Sequence, residues 1–146
     1  MNTKPKRAYL DSMVFIFGRL EECNSRLILF LAQVGEFEVA TSELVLEEVD
    51  RFFRDNFSRQ AGYVARRFAE ELSTKIVKRE EIKTEIKMLK GKIKAEDLEN
   101  LAATRHENLP YLVAYDKDYE EAKVKEYITP REYIKLFKLK PYKMEY

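Results

Sequence analysis

Four short apolar runs, each followed by a stretch with helical spacing, constrain this chain more than any other feature. They are Arg7 to Leu10, Phe37 to Ala40, Tyr111 to Tyr115, and Tyr127 to Ile128. Strands that alternate with helices call for βαβ crossovers and a mainly parallel sheet between helical layers. The expected fold class is therefore α/β, a three-layer αβα sandwich around a four- to five-stranded sheet. The length, 146 residues, fits one domain over 1–146 with a single core and no need of disulfides.

The intervening helices carry their own punctuation. Val14 to Gln33 is apolar at helical spacing with a break near Cys23–Ser25, and Gly35 suits the end of that stretch because it tolerates positive φ. Ser42 is placed to cap a helix from Glu43 to about Asn56, in which Val45, Leu46, Val49, Phe52 and Phe53 form one stripe. Successive residues turn by about 100°, so Glu47 lies opposite that stripe and Glu48 on its flank. Glu48 is then the carboxylate that can face a pocket, with Glu47 expected in water. Ser58 to Leu72 reads as another amphipathic helix with Tyr63, Val64, Phe68 and Leu72 inward. The Lys/Glu-rich stretch at about 74–94 is expected to form a short helix or mobile flap, stopping at Gly91. From Ala95 to about Arg105 a further helix puts Asp97 on the face of Leu98, Leu101 and Arg105, with Glu96 and Glu99 turned away. A short helix from Asp118 to about Lys125 and a last one opening on Pro130 complete the chain.

Asp11 and Asp116 close two of the apolar runs, and ligands of open parallel sheets bind beyond the carboxyl ends of the strands. Taken singly, the acids have ordinary explanations. Asp11 and Asp116 can cap helices, Glu48 can sit on a charged surface, and Asp97 can complement a helix N-terminus. One sheet edge would gather Asp11, Glu48, Asp97 and Asp116, where mutual repulsion makes each hold its proton more tightly. A hard cation relieves that repulsion, and carboxylate with water oxygens suits Mg²⁺ or Mn²⁺. Such an ion activates water and offsets charge on a phosphate oxygen, the chemistry of phosphodiester hydrolysis.

Several alternatives fall away. One cysteine, Cys23, and one histidine, His106, exclude a disulfide within the chain and a Cys- or His-rich metal centre. Ser12 is a nucleophile candidate only with a histidine beside it, and His106, the sole one, is expected in a polar loop at the surface. The four glycines are scattered, so no phosphate-binding Gly-rich loop exists. The run from Leu27 to Val34 is too short for a bilayer, and no signal peptide is evident; the reading is a cytoplasmic protein with no membrane association. Net charge is +1, but eight Lys or Arg stand against three Glu between Lys75 and Lys94. Basic surface near an acidic pocket suits a phosphodiester substrate.

Along nearly its whole length the chain resembles the PIN domain family of metal-dependent ribonucleases. YLDSMVFI from Tyr9 resembles the family's opening strand, which puts the first acid at Asp11. SELVLEEV from Ser42 resembles the second motif, with Glu48 as its acid and Glu47 as the neighbouring alternative. DLENLAA from Asp97 is similar to the third. YLVAYDKDY from Tyr111 resembles the fourth, with Asp116 as its acid and Asp118 as an auxiliary. The resemblance implies a PIN-like fold and an Mg²⁺- or Mn²⁺-dependent endoribonuclease acting on RNA, with Asp11, Glu48, Asp97, Asp116 and Asp118 as metal ligands. It further implies the toxin role of a VapBC-type pair, an antitoxin protein as partner, and a homodimer. Met13 stands where members commonly carry Asn, and Ala114 where they carry Ser or Thr. A PIN-fold RNA- or protein-binding module with weakened catalysis is the alternative.

Overall fold

β1 (Arg7–Leu10) lies at the middle of a five-stranded sheet and decides where everything else goes. The computed structural model describes residues 4–144. In order the elements are β1, α1 (Ser12–Leu20), α2 (Asn24–Gln33), β2 (Glu38–Ser42), α3 (Glu43–Asn56), α4 (Arg59–Leu72), β3 (Ser73–Val77), a 3₁₀ turn (Arg79–Ile82), α5 (Lys83–Leu89), α6 (Ala95–His106), β4 (Leu112–Val113), α7 (Asp118–Glu121), β5 (Tyr127–Ile128) and α8 (Pro130–Lys135). The strand order is β3-β2-β1-β4-β5, and every pairing is parallel. Ala8, Tyr9 and Leu10 are fully buried, as a central parallel strand covered on both faces must be.

Register places the carboxyl ends. Tyr9 pairs with both Ala40 and Leu112, and Leu10 pairs with Val113. One residue further, the Asp11 amide donates to the Val113 carbonyl at 3.1 Å. Asp11, Ser42 at the end of β2 and the residues after Val113 therefore emerge along one edge of the sheet. The helix boundaries follow the sequence signals. Ser42 accepts from the Val45 amide, Ser58 from Ala61 and Thr129 from Glu132, each at an N-cap. Gly35 adopts φ 82° after α2.

Two expectations are corrected. The stretch at about 74–94 opens with β3, an edge strand, before the 3₁₀ turn and α5. Thr74 is bulged out of the ladder between Ser73 and Lys75, and its hydroxyl donates to the Val39 carbonyl at 3.1 Å. The Lys/Glu-rich residues that follow masked a strand whose half-exposed edge position tolerates the charge of Lys75. The second correction concerns α4. Tyr63 and Val64 are 64% and 51% exposed, while Gly62, Ala65 and Ala69 are buried. A Cβ on Gly62 would meet the Asp50 carbonyl oxygen at 2.8 Å. The small face won because α3 and α4 approach too closely for large side chains; Phe68 and Leu72 remain partly buried against the core. No helix among the described residues is long and apolar enough to cross a membrane.

Candidate active site

Asp11 follows β1 directly and caps α1, its Oδ1 accepting from the Ser12 amide at 2.7 Å. The same oxygen accepts from the Asn100 side-chain amide at 3.2 Å. Burial pushes the Asp11 carboxyl up to about 7, the Ser12 amide opposes this, and the charges of Glu48, Asp97 and Asp116 add to it. Asp11 thus feels the charge of each of the other three acids, with burial the larger cause.

Asp97, in the first turn of α6, is 4% exposed. Its Oδ2 has no hydrogen-bond partner of normal geometry, and the buried Tyr119 hydroxyl is likewise unsatisfied. Burial first, then the charges of Asp116 and Asp118, push this carboxyl up to about 6, opposed by the Tyr119 hydroxyl through a weak hydrogen bond outside ordinary geometry. Oxygens of Asp97, Asp116 and Asp118 lie within 4.8 Å of one another. Asp116 Oδ1 accepts from the Asp118 amide at 2.8 Å, which turns the chain after β4 and holds the two acids as a unit. A buried carboxylate oxygen without a donor is costly. A divalent cation with oxygen preference would satisfy it, so the residues present fit Mg²⁺ or Mn²⁺.

Glu48 and Glu47 part as the helix phase requires. Burial raises the Glu48 pKa, opposed by a hydrogen bond from the Ser12 hydroxyl. Glu47 instead takes a two-pronged ion pair from Arg79 (2.7 and 3.0 Å), whose guanidinium also reaches Glu99. Its pKa is lowered by that hydrogen bond and stays with the rim.

Residues whose part in the site has no signal of its own in the sequence hold this arrangement. Ser42 Oγ lies 2.8 Å from the Tyr9 hydroxyl, and Tyr9 donates to Asn100 Oδ1 at 2.5 Å. With the Asn100 amide on Asp11, the donors run Ser42 to Tyr9 to Asn100 to Asp11 and link β2, β1 and α6. All four side chains are buried. The face of α6 that includes Asp97 also includes Asn100 and Thr104, whereas Arg105, assigned to that face above, is exposed and pairs with Glu126 on the far side of the fold. The 3.6-residue period marks Asn100 as facing inward with Asp97, and this was the one available clue. Met13 is partly buried against the core and Ala114 fully buried, so the polar support around Asp11 and Glu48 comes from Asn100 and Ser12. His106 ends α6 rather than lying in a loop, and its Nδ1 is 2.8 Å from Glu85 of α5.

No family model matches the sequence, and no curated protein matches it. Solved structures do match the fold. A chain of a toxin–antitoxin complex from Klebsiella pneumoniae superposes with TM-score 0.63 at 21% identity, covering 84% of this chain and 97% of that one. A chain of VapBC2 from Rickettsia felis, solved on a DNA fragment from its promoter, gives 0.64 at 14% identity over 84% and 96%. VapC20 of Mycobacterium tuberculosis, a sarcin–ricin loop cleaving toxin, gives 0.58 at 18% identity over 79% and 94%. With its 3-2-1-4-5 parallel sheet flanked by helices, the chain is built on the VapC-like PIN-domain fold.

Proposed function

We propose that this protein is a divalent-cation-dependent endoribonuclease, the toxin of a toxin–antitoxin pair. The observation that carries the reading is the gathering of Asp97, Asp116 and Asp118 oxygens within 4.8 Å, beside a buried Asp97 Oδ2 with no hydrogen bond of ordinary geometry. Asp97, Asp116 and Asp118, with Asp11 and Glu48, would hold Mg²⁺ or Mn²⁺ through oxygen. When bound, that ion makes water more acidic and offsets negative charge on the scissile phosphate. Asn100 and the Ser12 amide fix Asp11, so this carboxylate is held in place by donors from α6 and α1. Lys117, exposed between Asp116 and Asp118, and Arg51, one turn beyond Glu48, offer cations for the RNA backbone. An antitoxin protein and a second copy of the chain are the expected partners. The fold shared with toxin–antitoxin chains supports the antitoxin as partner.

Labelled single-stranded RNA incubated with the protein should be cut with Mn²⁺ or Mg²⁺ and left whole with EDTA. Asp97→Asn should lose the cleavage. A second reading, an RNA- or protein-binding module with weakened catalysis, draws on the apolar Met13 and Ala114 beside the site. RNA that is bound but uncut at saturating Mn²⁺ would favour it.

A further inference from the structure

Oxygens of Asp97, Asp116 and Asp118 gather within 4.8 Å, yet among the described residues a single ion pair reaches them: Lys94 Nζ lies 2.9 Å from Asp118 Oδ2. We infer that Lys94 is a built-in counter-cation of this cluster, which a divalent ion displaces from Asp118 on binding. The inference rests on the metal-dependent reading above and concerns what that ion must compete with.

The position of Lys94 is fixed at its backbone and free at its tip. Its carbonyl accepts from the Asp97 amide at 3.0 Å, so Lys94 and Asp97 belong to the same turn. Lys94 precedes α6 and makes no side-chain cap bond. Its side chain is 62% exposed against 22% for Asp118. The ammonium can therefore swing into solvent while the acid stays. The Asp118 backbone stays in place, because its amide donates to Asp116 Oδ1. The residue arrives on the Lys-rich segment after α5, past Gly91 at φ 85°.

A single positive charge at this place has a definite consequence for a dication. The incoming ion must break the Lys94–Asp118 pair and then bear the repulsion of a nearby ammonium. An exposed pair is weak, and the repulsion is damped by water and salt. The net handicap on metal affinity is therefore modest, roughly three- to tenfold.

Calorimetric titration of Mn²⁺ into the full chain reads this directly, without turnover. Lys94→Met should bind Mn²⁺ about three- to tenfold more tightly than the natural protein, by a margin that shrinks with added salt. Lys94→Arg, which keeps the charge, should stay within about twofold, as should Lys83→Met on the exposed face of α5. Equal or weaker Mn²⁺ binding by Lys94→Met overturns the inference and leaves the nuclease reading standing. If the natural protein binds no Mn²⁺, or Asp97→Asn binds it equally well, the metal-dependent reading fails and takes the counter-cation with it. Thermal unfolding of Lys94→Met should match the parent, since its side chain buries little.

Discussion

Asn100 holds Asp11 across 89 residues of sequence: its side-chain amide donates to Asp11 Oδ1, while its Oδ1 accepts a hydrogen bond from the Tyr9 hydroxyl. One side chain on α6 thus orients an acid after β1 and satisfies a phenol buried within β1. Replacing it with leucine keeps the volume and strands both partners. Asn100→Leu should destabilise the fold by about 2 kcal/mol, the usual cost of leaving buried polar groups unpaired. Urea unfolding measures this, and cleavage should fall with it because Asp11 loses its fixed orientation. A fully stable Asn100→Leu protein would show that the polar chain from Ser42 to Asp11 is incidental.

Stability without metal should fall as pH rises from about 5 to about 7.5. Asp11 and Asp97 titrate near 7 and 6 in the folded protein and near 4 when unfolded. Raised folded values mean that the native state binds protons more tightly. Their contribution is complete below about pH 4 and is lost as pH climbs through 6 and 7. The acids held low by basic or backbone partners, Glu47, Glu81, Glu85 and Asp118, are already ionised in this window and do not reverse the sign. Urea midpoints in EDTA at the two pH values test it, and added Mn²⁺ should restore the loss at the higher pH. A midpoint that climbs with pH in EDTA would contradict it.

Glu48 and Glu47 should separate cleanly in function. Glu48→Gln removes a charge from the cluster and should lower cleavage by about 10- to 100-fold. Glu47→Gln breaks an exposed pair with Arg79 and should change cleavage by no more than about twofold and stability by less than about 1 kcal/mol. Parallel kinetics and thermal melts on the two variants decide it; equal losses would mean that the helix phase of α3 has been assigned the wrong role.

Gly62→Ala should destabilise the protein by about 1–3 kcal/mol, despite alanine's better helix propensity. The new methyl would sit 2.6 Å from Asp50 Oδ1 and 2.8 Å from the Asp50 carbonyl oxygen, and the latter belongs to the backbone of α3 and cannot swing aside. Val64→Ser, one helical position from the buried face, should stay within about 0.5 kcal/mol. Melting curves of the pair compare the small face of α4 with its large one. A neutral Gly62→Ala would show that α3 and α4 can part.

Most of the architecture could be read along the chain. β1, β2, β4 and β5 are all apolar runs bounded by turn chemistry, and the caps at Ser42, Ser58 and Thr129 lie where hydroxyls precede helical spacing. β3 was hidden because an edge strand keeps one side in solvent and tolerates Lys75, and because the Lys/Glu-rich residues after it signal a surface helix. α4 was misoriented because hydrophobicity ranks tyrosine and valine above glycine and alanine, while close helix packing rewards the reverse.

By itself the sequence determined the alternation of strands and helices, the order of the acids, and the inward phase of Asp97 and Glu48. These depend on local periodicity, which each segment carries alone. Only the tertiary structure decided that Tyr9, Ser42 and Asn100 form one donor chain to Asp11, that Lys94 meets Asp118, and that α4 turns glycine and alanine toward α3. Periodicity tells a side chain which way to face. What it meets there depends on how distant elements dock, and on which hydrogen bonds and close contacts that docking makes compulsory.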